Sequence, residues 1–118
     1  MSIDDSIRHH LVTLVRRGDR TAEFTRARPT DWRPGDVPNP NGLLLPYFDD
    51  DSAWELIASR LEDGHDVETI ALDQPRGNQG YVMKIDLNPG RPLLYVKLEL
   101  GSGEVIGRSF RESERKRG

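Results

Sequence analysis

Apolar residues recur at Ile3, Ile7, Leu11, Leu14 and Val15, the three-and-four spacing of one helix face. Asp4 and Asp5 suit the positive end of that helix, and Arg16, Arg17 and then Gly18 suit its last turn and stop. A second helix is predicted where Ser52-Ala-Trp-Glu55 reads as a capping box. Trp54, Ile57, Ala58 and Leu61 fall on one face after it, and Gly64 closes it. Beyond Gly64 the period changes from helical to alternating. Val67–Leu72, Tyr81–Leu87, Leu93–Leu100 and Glu104–Arg111 read as four strands, separated by Pro75-Arg-Gly77, Asn88-Pro-Gly90 and Gly101-Ser-Gly103. Short connections make neighbouring strands antiparallel. The expected fold is therefore α+β, one domain over residues 1–118, with two N-terminal helices packed on a four-stranded, mainly antiparallel meander.

Between the helices, five of the eight prolines fall within residues 29–47. Trp32-Arg-Pro-Gly35 and Pro38-Asn-Pro-Asn-Gly42 are strong turn signals, so this stretch reads as a long Pro-rich loop. Residues 112–118 read as a disordered tail.

Alternation splits each strand into two faces. Tyr81, Met83, Ile85 and Leu87 oppose Val82, Lys84 and Asp86, while Leu94, Val96, Leu98 and Leu100 oppose Leu93, Tyr95, Lys97 and Glu99. A three-residue loop at Gly101-Ser-Gly103 would pair Leu100 with Glu104, Leu98 with Ile106, Leu94 with Phe110 and Tyr95 with Ser109. Arg111 then joins the polar face beside Tyr95 and Lys97. Arg108 lands on the core side opposite Val96, which demands a sheet edge or a bulge. The polar face so assembled holds Lys84, Tyr95, Lys97, Ser109 and Arg111, with Asp86 and Glu99 nearby. Such groups on a rigid sheet suit phosphodiester cleavage in RNA. A lysine, glutamate or tyrosine assists deprotonation of the 2′-hydroxyl, and cations offset charge developing on the phosphate. Polar residues also line the solvated face of most half-buried sheets, so the pattern fits a non-enzymatic protein-binding module as well.

The chain has 118 residues and a net charge of −3. That charge is unevenly spread: +2 over residues 1–33, −9 over 34–75 and +4 over 76–118. An acidic middle between basic ends allows a basic surface that the mean conceals. With no cysteine, disulfides, cysteine-ligated zinc and cysteine nucleophiles are excluded. His9 and His10 are adjacent on a helix and point about 100° apart, poorly placed to chelate one ion. His65 follows a helix stop and reads as a surface or capping residue, and Asp49-Asp-Asp51 reads as helix capping rather than a metal cluster. No metal or other cofactor is expected. Apolar runs are too short to span a bilayer, and nothing near the start resembles a signal peptide. A cytoplasmic protein without membrane contact is the expectation.

The pair of segments Leu93-Leu-Tyr-Val-Lys-Leu-Glu-Leu100 and Val105-Ile-Gly-Arg-Ser-Phe-Arg111 resembles the C-terminal hairpin of the motility quorum-sensing regulator (MqsR) toxins. In that hairpin an aromatic-aliphatic-Lys strand precedes a strand ending in Ser-Phe-Lys. The match covers about residues 81–111, and the element order agrees more widely. The resemblance implies a RelE-like (barnase-EndoU-colicin-RelE) fold and an mRNA endonuclease, the toxin of a toxin–antitoxin pair. Its partners would be RNA, ribosome-bound mRNA included, and a cognate antitoxin protein. Tyr95 stands where the family has a catalytic tyrosine, and Arg111 stands where a catalytic lysine follows Ser-Phe. That change keeps phosphate binding and weakens a general-acid role. Lys84 is set against one of the family's upstream lysine and glutamine. Tyr95, Arg111 and Lys97 are thus the catalytic candidates, and Lys84, Arg108 and Ser109 the candidates for RNA binding.

Overall fold

The computed structural model describes residues 3–38, 47–73, 77–87 and 93–113. Helix α1 spans Asp5–Arg17, with Asp4 at its N-cap and Gly18 in the left-handed conformation at its C-cap. Helix α2 spans Asp50–Glu62. It begins earlier than its sequence suggests, because Asp49 rather than Ser52 is the N-cap. The Asp49 carboxylate accepts the Ser52 backbone N–H at 2.8 Å, and the Asp49 N–H donates to Ser52 Oγ at 2.9 Å. Asp50 and Asp51 complement the first turn, so the aspartate run serves the helix as expected.

The sheet is mixed and six-stranded rather than a four-stranded meander. Strands β3 (Glu68–Ala71), β4 (Gln79–Ile85), β5 (Leu94–Leu100) and β6 (Val105–Glu112) pair antiparallel in sequence order. Two further strands, β1 (Arg20–Thr21) and β2 (Asp31–Trp32), run parallel to β6 along its outer edge. Each has two residues, too few to show a period, so pattern alone does not reveal them. The predicted Pro-rich loop thus contains β2 and a single 3-10 turn over Pro34–Asp36, and it buries Val37. Residues 39–46 of that loop lie outside the described residues. So do 114–118 of the predicted tail, whose first residue, Glu112, instead pairs with Leu94 in β6.

Leu11, Leu14 and Val15 of α1 and Ala53, Trp54, Ile57, Ala58 and Leu61 of α2 form one core with the inward side chains of β4, β5 and β6. Trp32 seals it at the β6 edge. Its ring stacks on Trp54 with centroids 4.7 Å apart, lies 5.3 Å from Phe110, and donates its indole N–H to Asp50 at 3.0 Å. The indole lies directly over Gly107, where a Cβ would come within 2.4 Å of ring carbon. Glycine is required there by close approach, since its backbone is not left-handed.

Replacing Gly107 by Ala should therefore destabilise the fold by about 1–3 kcal/mol, the usual cost of overpacking. Urea denaturation measures it. A midpoint no lower than that of the parent chain would refute the seal.

Candidate functional site

The β5–β6 hairpin differs from its expected register in an instructive way. The loop holds four residues, with the Gly101 N–H donating to the Glu104 carbonyl at 2.8 Å, so Leu100 pairs with Val105 rather than Glu104. Leu98 then faces Gly107, not Ile106. The register shifts between Lys97 and Leu98, beyond which Lys97 pairs with Ser109, Val96 with Phe110 and Tyr95 with Arg111. Arg108 is the extra residue of that bulge. With the four-residue loop Arg108 already falls on the polar side; an unbroken ladder would instead have set Phe110 beside Tyr95 on that face, and the bulge returns Phe110 to the core opposite Val96 and Arg111 to the polar face opposite Tyr95. On that face Arg108 Nη1 donates to Glu99 Oε1 at 2.9 Å and its Nε to the Pro29 carbonyl at 3.0 Å.

Glu99 is completely buried. Besides Arg108 it receives both oxygens' worth of contact from Arg28 Nε, at 3.1 and 3.2 Å, and a 2.7 Å bond from the Asn78 side-chain amide. Burial alone would push this carboxyl up, but the bonds from Asn78, Arg28 and Arg108 outweigh it and hold it below the ordinary glutamate value. Arg28 and Pro29 belong to the segment joining β1 to β2, so this segment is fastened across one end of the polar face. Arg108 and Ser109 are buried beneath it, at 5% and 4% exposure. Both side chains are therefore withdrawn from the exposed face, and Glu99, held by Arg108, Arg28 and Asn78, acts as a clamp.

The other end of the same face is open. Cross-strand pairing sets Lys84 beside Tyr95 and Tyr95 beside Arg111, and one step along β5 it sets Val82, Lys97 and Ser109 in a row. Arg111 lies over the Tyr95 ring, 4.8 Å from its centroid, and pairs with Asp31 at 2.5 Å. Asp31 comes from β2, within the stretch that reads as a plain loop, and was not legible as a site residue. It also pairs with Arg33 at 2.6 Å, so two arginines share one carboxylate and positive charge is left over. Lys97 is half-buried between these groups. Burial first, then the neighbouring Arg108 and Arg111 charges, pull its ammonium below the ordinary lysine value against the weaker opposing effect of Asp73 and Asp31. The structure therefore brings together Lys84, Tyr95, Lys97 and Arg111, and withdraws Arg108 and Ser109 from the exposed set. Four groups on three adjacent strands can bind an anion and exchange a proton beside it.

His65 also belongs here, which its position after a helix stop does not reveal. With Asp66, Val67, Glu68, Val82 and Lys84 it lines an open cavity of about 490 Å³. Among the described residues, no group of three or more His, Asp or Glu side chains is disposed to hold a metal ion.

Removing the Glu99 side chain leaves Arg108 buried without its carboxylate. Glu99→Ala should cost about 3–5 kcal/mol in urea denaturation, the usual cost of breaking a buried pair. Because the Glu99 pKa is depressed on folding, its contribution is complete above the unfolded glutamate value of about 4.3 and is lost as pH falls through the folded value. Glu99→Gln should remove that part of the acid limb of the stability–pH curve. An unchanged acid limb would contradict the clamp.

Comparison of the chain with protein-family models, with curated proteins and with solved structures finds no match, so the reading of this site rests on its own geometry.

Proposed function

We propose that the chain is a ribonuclease that cleaves RNA by internal attack of a 2′-hydroxyl, and that it is the toxin of a bacterial toxin–antitoxin pair. The observation that carries this reading is the geometry of one sheet face, on which the half-buried Lys97, its ammonium pulled below the ordinary lysine value, sits beside Tyr95 with Arg111 over the Tyr95 ring. Tyr95 and Lys97 stand roughly 7 Å apart along β5, given the rise of a strand. A phosphate lodged between them reaches both.

In the proposed step neutral Lys97 accepts the 2′-hydroxyl proton and O2′ attacks phosphorus. The P–O5′ bond breaks, leaving a 2′,3′-cyclic phosphate, and the Tyr95 hydroxyl protonates the departing O5′. Lys97 then returns its proton to the tyrosinate. Arg111, oriented by Asp31 and by the Tyr95 ring, offsets the charge that develops on the phosphate, with Lys84 beside it. Arginine suits this role because it binds phosphate in a fixed fork and keeps its charge. The resemblance of the β5–β6 hairpin to the MqsR toxins supports the same assignment, and extends it to a RelE-like fold and a cognate antitoxin.

Arg111→Ala should lower kcat on an RNA oligonucleotide by about 10²–10³-fold, the usual loss of one charge-stabilising donor. Activity should persist in EDTA. It should rise with pH to a plateau reached below the ordinary lysine value of about 10.4, and Lys97→Arg should abolish that rise. In bacterial cells, induction should arrest growth, and the product of an adjacent gene should relieve the arrest. Full activity in Arg111→Ala, or activity lost to EDTA and restored by magnesium, would overturn the proposal.

A further inference from the structure

Arg33 stands at the outer end of the row that begins with Lys84. Trp32 turns its ring inward onto Trp54, so alternation puts Asp31 and Arg33 on the opposite, polar face. In register Asp31 lies beside Ser109 and Trp32 beside Phe110, and one step further Arg33 comes beside Arg111. Lys84, Tyr95, Arg111 and Arg33 therefore form one line across β4, β5, β6 and the end of β2. Two strand spacings, roughly 10 Å, separate Arg33 from Tyr95.

The backbone of Arg33 is held on both sides. Its N–H donates to the Phe110 carbonyl at 2.9 Å, and its carbonyl accepts the Asp36 N–H at 3.1 Å in the turn that Pro34 opens. Its Nε meets Asp31 Oδ1 at 2.6 Å, while Oδ2 of the same carboxylate meets Arg111 Nε at 2.5 Å. Asp31 thus offsets one of two guanidinium charges and steadies both. The Arg33 side chain is 63% exposed against 26% for Arg111, so it is the solvent-facing member of the pair. An anchored guanidinium whose charge exceeds that of the local carboxylate has the chemistry of a phosphate site.

We infer that Arg33 binds a second phosphate of the substrate, the one joined to the 3′ oxygen of the nucleoside that leaves. The side follows from the rows. Tyr95 protonates the departing O5′ in the proposed step, and Arg33 continues the Tyr95 row past Arg111. The Lys97 row ends instead at Asp31, whose carboxylate repels a phosphate. The substrate is thereby an oligonucleotide that carries a phosphate beyond the cut. The inference rests on the ribonuclease reading for which side leaves, but binding of the second phosphate is measurable without cleavage.

The test titrates the intact chain at low salt with thymidine dinucleotides, which lack the attacking hydroxyl, carrying either the internal phosphate alone or a 3′-phosphate as well. The added phosphate should tighten binding about ten-fold, the scale of one charge-assisted contact, and should shift the Arg33 Nε–H resonance. Arg33→Ala should erase that gain, and Arg33→Lys should retain part of it. Equal affinity for the two ligands, or a gain that survives Arg33→Ala, would overturn the site; the parent chain decides the first of these even if the variant misfolds. With RNA dinucleotides, an added 3′-phosphate should raise kcat/KM more than an added 5′-phosphate, and the opposite order would overturn the assignment. An Arg33-dependent gain in binding without RNA cleavage would uphold the site while refuting the ribonuclease. Cleavage indifferent to either added phosphate would do the reverse.

Discussion

A carboxylate with no access to water must be fully paired or it will not stay charged, and Glu99 satisfies that condition with Arg108, Arg28 and Asn78. These partners come from β6, from the β1–β2 segment and from the turn before β4. One buried charge thus holds together parts of the chain that are distant in sequence. Arg108 reaches it from the polar side of β6, and the bulge there returns Phe110 to the core and Arg111 to the open face. The placement of β1 and β2 on the β6 edge follows from that buried charge, since Arg28 and Pro29 lie between them. With that end closed, the opposite end of the face, at Lys84, Tyr95, Lys97 and Arg111, is left open on a strand framework that its neighbours fix. Fixed cations are the kind that stabilise a developing charge without reorganising.

Much of this arrangement is legible in the sequence, and what is not has physical causes. Both helices and the four long strands declare themselves through period, caps and turns. The division of β5 into core and polar faces is equally plain. Arg108 announced a conflict, a cation in a core position, and that conflict is the trace of the longer turn, which by itself moves Arg108 to the polar face. The exact partners across the hairpin were misread because the turn at Gly101–Glu104 has one residue more than its glycines suggest, and the bulge then adds a second shift of one. Two odd slips restore the faces, which is why Tyr95, Lys97 and Arg111 still meet.

The strands β1 and β2 were invisible for a different reason. Each has two residues and takes its conformation from β6, so the information that makes them strands lies about eighty residues further on. Asp31, Arg28 and His65 were missed with them. Their roles depend on which distant side chain the fold sets beside them, and neither period nor spacing encodes that. Burial of Glu99, Arg108 and Ser109 is likewise set by the covering segment rather than by their own strands.

The central claim is that the open face performs chemistry that needs a ribose hydroxyl and supplies its cations from side chains. An otherwise deoxyribose oligonucleotide carrying one ribonucleotide, made with each of the four bases in turn, tests it most directly, incubated with the chain in EDTA and analysed by mass for its end groups. The account predicts a single cut on the 3′ side of that ribonucleotide, leaving a 2′,3′-cyclic phosphate, and none in the all-deoxyribose control. Cleavage of the control, or a linear phosphate formed without a cyclic precursor, would contradict it.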